Sequence, residues 1–79
     1  MTMDRVQKDA LYEIACLHWK EFNNRMIDSW TLENYQKDTE YNQAIKKLER
    51  EYRETYGELP EWPYIDDVLA TIEELSKEV

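Results

Sequence analysis

Apolar residues recur every three or four positions through most of this chain, in three separate stretches. In the first stretch Met3, Val6, Ala10, Ile14 and Leu17 form one row, and Leu11, Ala15, His18, Phe22 and Met26 form a second row beside it. Asp4 is well suited to cap such a helix, and the spacing predicts a helix over about 4–30. The combined band is wider than a single packing seam needs. Toward its end it drifts to Trp19, Ile27 and Trp30, so this helix is expected to touch more than one neighbour.

Residues 28–40 carry no continuous stripe. Ser29, Thr31 and Asp38 can each cap a helix, Leu32 and Tyr35 are spaced for one turn, and Asn34, Lys37 and Asp38 break the pattern. A loop with a short helical turn, or a frayed lead into the next helix, is expected there. The second helix is predicted over about 39–56, where Tyr41, Ile45, Leu48, Tyr52 and Tyr56 share a face. Gly57, the only glycine, stands where a left-handed C-cap is wanted. A linker of about five residues follows. Pro63 suits the first position of a third helix, predicted over about 63–78. There Ile65, Val68, Leu69, Ile72, Leu75 and Val79 give the cleanest amphipathic pattern in the chain.

Strand and hairpin signals are absent, as are internal repeats. The predicted fold is all-α and spans residues 1–79 as one acidic helical domain. It is a small three-helix bundle or a helical hairpin plus a third crossing helix, with no strands. The expected core comprises Val6, Leu11, Ile14, Phe22, Ile45, Leu48, Ile65, Val68, Leu69 and Ile72.

Size constrains this picture. A chain of 79 residues buries a modest share of its surface, so large side chains must fill the core. Three Trp, six Tyr and one Phe supply them. Charge changes the picture more. The net charge is −8, and it is uneven. Residues 1–56 hold 11 acids and 9 bases, a net of −2; residues 57–79 hold 7 acids and one base, a net of −6. A field of that sign disfavours nucleic acid and anionic membranes and attracts basic partners. Cys16 has no second cysteine to pair with, and the first six residues, with Asp4 and Arg5, do not read as a secretory leader. A cytoplasmic, reducing location is the expectation, with no membrane span.

The residues offer little chemistry. His18 is the only histidine, and Cys16, two positions earlier, points about 200° away on a helix, so the two cannot share a metal or act as nucleophile and base. His18 is expected as a packed, hydrogen-bonded core residue. The adjacent acids Asp66 and Asp67, and Glu73 and Glu74, flank the apolar stripe of the third helix and read as solvated. No Gly-rich phosphate loop, Ser/His/Asp set or Cys-x-x-Cys pair occurs. Neither an enzyme nor a cofactor is expected. Lys46, Arg50 and Arg53 line one side of the second helix; interleaved acids argue against nucleic-acid binding and for attraction to the acidic third helix.

Partner binding is the function class left standing. The candidate interface is Asp66, Asp67, Glu73, Glu74 and Glu78, with Trp62 and Tyr64 as anchors, because Trp and Tyr dominate interface energetics. The expected partner is a protein with a basic surface, and helical carboxylates at i,i+4 and i,i+7 also approximate the spacing of nucleic-acid phosphates. In size and charge the chain is similar to small helical proteins encoded by bacteriophages and other mobile elements, some of which inhibit host or defence proteins. Two alternatives stand beside this: a structural protein that associates with itself as a homodimer through the wide apolar band of the first helix, and an uncharacterised regulator.

Overall fold

The computed structural model describes residues 4–27, 31–59, 61–62 and 65–77. They form three helices, α1 (Arg5–Arg25), α2 (Leu32–Tyr56) and α3 (Ile65–Lys77), and no strand. The fold is all-α, as the spacing of apolar positions predicts.

Asp4 caps α1, its carboxylate accepting from the Gln7 N–H at 2.7 Å. The helix stops at Arg25, five residues short of the expected end, and Trp30 lies outside the described residues. The larger difference is at α2. The helix starts at Leu32, because the Thr31 hydroxyl caps it by accepting from the Asn34 N–H at 3.2 Å. The expected loop is therefore mostly helix. At the other end Gly57 has φ +100° and ψ −148°. The positive φ is as expected, but the ψ belongs to an extended region open essentially to glycine alone, not to the left-handed helix. Pro63, the expected first residue of α3, lies outside the described residues, and α3 runs from Ile65.

The central helix is α1. Both α2 and α3 pack against it, and the backbones of α2 and α3 do not approach one another. Antiparallel pairing of α1 and α2 is fixed near both ends. Gln7 donates to the Tyr52 hydroxyl at 2.9 Å, and Asn24 donates to the Asn34 carbonyl at 2.7 Å. Beside the latter, Arg25 Nε lies 3.1 Å from a carboxylate oxygen of Asp38, and the same guanidinium also meets Glu21.

The core follows from this arrangement. Leu11, Ile14 and Tyr52 form its centre, with Leu48, Leu59, Trp62 and Leu75 packed against it, and Ile45 and Val68 are buried too. Three expected core residues are not buried. Val6 is 68% exposed, Phe22 41% and Leu69 41%. Val6 and Phe22 are exposed because α1 has an apolar band broader than its two neighbours cover, and Leu69 because it sits at the edge of α3 that α1 does not reach. Leu48, Ile65 and Ile72 are half-buried. Asn24, which the spacing leaves out, is buried at 7% exposure with its amide satisfied.

Candidate partner-binding surface

The acidic surface is built on α3. Ile65, Val68, Ile72 and Leu75 turn toward α1 and leave the rest of the helix outward. Asp66, Asp67, Glu73 and Glu74 are all exposed. Asp66 and Asp67 occupy the first turn, where the helix dipole favours negative charge. Glu73 pairs with Lys77 at 3.4 Å, one turn on. Leu69 stands three residues after Asp66 and four before Glu73, so an exposed apolar side chain is flanked by two carboxylates on one strip of helix. Glu78 and Tyr64 lie outside the described residues.

Trp62 is half-buried and packs on the core. Its ring meets the His18 ring edge to face, with centroids 5.2 Å apart and planes at 80°. His18 in turn places Nε2 at 3.5 Å from Glu49 of α2, and Glu49 also faces Arg53 at 3.6 Å. His18 therefore is not the core residue expected: its side chain is 29% exposed and joins three segments, α1, α2 and the connection into α3. The expected attraction between the α2 cations and α3 is also corrected. Among the described residues no ion pair joins the two helices: Arg53 is turned to Glu49, while Lys46 and Arg50 are exposed. The reason is geometric, since α3 lies on α1 and not on α2.

Among the described residues there is no cluster of three side chains able to hold a metal ion, and no helix long and apolar enough to cross a membrane. Cys16 is half-buried with a free thiol. Comparison with protein families, with curated proteins and with solved structures finds no match for this chain.

Sequence spacing places the four acids on the outside of α3, but it does not reveal Leu69 as their apolar neighbour. On spacing alone Leu69 belongs to the buried stripe. Only the position of α1 shows that it sits at the uncovered edge.

Proposed function

We propose that this chain is a protein-binding module that lays the acidic face of α3 against a basic surface of a partner protein. The observation that supports this is the isolation of the acids: Asp66, Asp67, Glu73 and Glu74 are exposed, Lys77 is the cation beside them, and among the described residues no α2 cation pairs with them. Leu69 gives the face a small apolar centre with a charged rim, the usual anatomy of an interface. Trp62, seated on His18, steadies the approach to α3. Asp66 and Glu73 lie seven residues apart, about 10 Å along the axis, a spacing that also suits a surface built for phosphates. Inhibition by occluding such a surface is the use this reading favours, whether the partner is a host or a defence protein.

The test compares the parent chain with the triple variant Asp67→Asn/Glu74→Gln/Glu78→Gln as baits in lysate at low and high salt. A captured protein is then purified and its association rate measured. Exposed charges act mainly on encounter, so the variant should associate more slowly and with a flatter salt dependence while its helical circular dichroism is unchanged. Equal association rates at low salt would remove the acidic face from any role in binding.

A further inference from the structure

Away from α3, an open apolar groove of about 330 Å³ runs between the first half of α1 and the second half of α2, lined by Val6, Ala10, Leu48, Tyr52, Thr55 and Tyr56 with Ile14 at its floor. It faces away from α3. Tyr12 and Leu75 line a cleft between α1 and α3, and Ala10, two residues before Tyr12, points about 200° from it. The exposure of Val6 belongs to this groove.

We infer that the groove is the seat of a second copy of this chain, bound about a two-fold axis with α2 antiparallel to α2. Charge complementarity selects this occupant. Glu51 lies on the rim of the groove, and Lys47 precedes it by one helical turn. Both are exposed, and neither has an ion partner among the described residues, not even the other. A two-fold contact is self-complementary, so Lys47 of each copy meets Glu51 of the other, and one pair of residues makes two ion pairs. The distribution of net charge permits the approach. Residues 1–56, which form α1 and α2, carry a net of −2, and the exposed acids Asp66, Asp67, Glu73 and Glu74 of α3 lie away from the groove. Two copies joined through the groove keep their acidic faces apart and outward, free for the partner proposed above. The two readings are independent: one rests on α3, the other on the groove.

Sedimentation equilibrium from micromolar to millimolar concentration tests this. The mass should rise from that of one 9.7 kDa chain toward twice that value. Lys47→Glu or Glu51→Lys alone should weaken the dimer about tenfold, since each reversal creates two like-charge contacts. The double reversal Lys47→Glu/Glu51→Lys should return the dissociation constant to within about threefold of the parent. Ala10→Glu should give a monomer, with helical circular dichroism recording that the fold remains. A chain that stays monomeric at millimolar concentration overturns the inference, including the case in which the groove takes a cationic amphipathic peptide instead. A dimer whose double reversal is as weak as the single ones, or one indifferent to these variants, overturns it equally.

Discussion

The side-chain amide of Asn24 donates to the backbone carbonyl of Asn34, 2.7 Å away, and so fastens the last turn of α1 to the first turn of α2. Asn24 is nearly inaccessible to water. Asn24→Ala should cost about 1–3 kcal/mol, combining a lost hydrogen bond with a small cavity. Asn24→Asp should cost more, because a carboxylate brings no donor and turns an acceptor toward a carbonyl. Urea denaturation checks the order; an aspartate variant as stable as the alanine one would show that the amide is not the fastening.

Leu11 and Ile14 are the most enclosed large side chains. Truncating either to alanine should cost about 2–5 kcal/mol, whereas Leu69→Ala, at the uncovered edge of α3, should cost about 1 kcal/mol or less. Thermal and urea midpoints measured side by side would test the contrast. Equal losses at Ile14 and Leu69 would place α3 differently on α1.

His18 and Trp62 should be energetically coupled through their edge-to-face contact. A double-mutant cycle with His18→Ala and Trp62→Ala is expected to give an interaction of about 0.5–1.5 kcal/mol. Additive losses would mean that the rings are neighbours without mutual support.

Alkaline pH should destabilise the fold partly through Tyr56. Desolvation of its phenol, then the Asp4 carboxylate and Tyr52, raise its pKa above the ordinary 10.0. The neutral phenol is therefore favoured in the folded chain, while unfolded tyrosines ionise first. The resulting stabilisation is complete below pH 10 and is lost as the pH rises through the raised value. Unfolding midpoints should fall more steeply above pH 10 for the parent than for Tyr56→Phe. Parallel curves would count against the shift.

How much of this could be read from the sequence depended on what each residue packs against. The stripe of Tyr41, Ile45, Leu48 and Tyr52 marks α2 because apolar spacing reports burial directly. The start of α2 was hidden for the same reason. Asn34 and Asp38 interrupt the stripe, yet they are the residues that hold this end, one gripped by Asn24 and the other by Arg25. Polar contacts between helices leave no periodic trace. The acids of α3 were legible as exposed, since they fall outside the stripe of Ile65, Val68, Ile72 and Leu75. Whether α2 would neutralise them was not legible, because the pattern of one helix does not say which neighbour it chooses. His18 shows the limit most clearly: it follows the apolar row, but its ring ends up between Trp62 and Glu49 at a partly open junction.

Because the backbone of α3 approaches that of α1 and not that of α2, its thirteen residues are held to the fold by one face. A helix of that length is marginal in water once released. Amide hydrogen exchange should therefore divide the molecule in two, with α3 opening as a unit while the hairpin of α1 and α2 stays protected. Any ligand that grips α3 closes this opening, so the first sign of its arrival would be slowed exchange along α3.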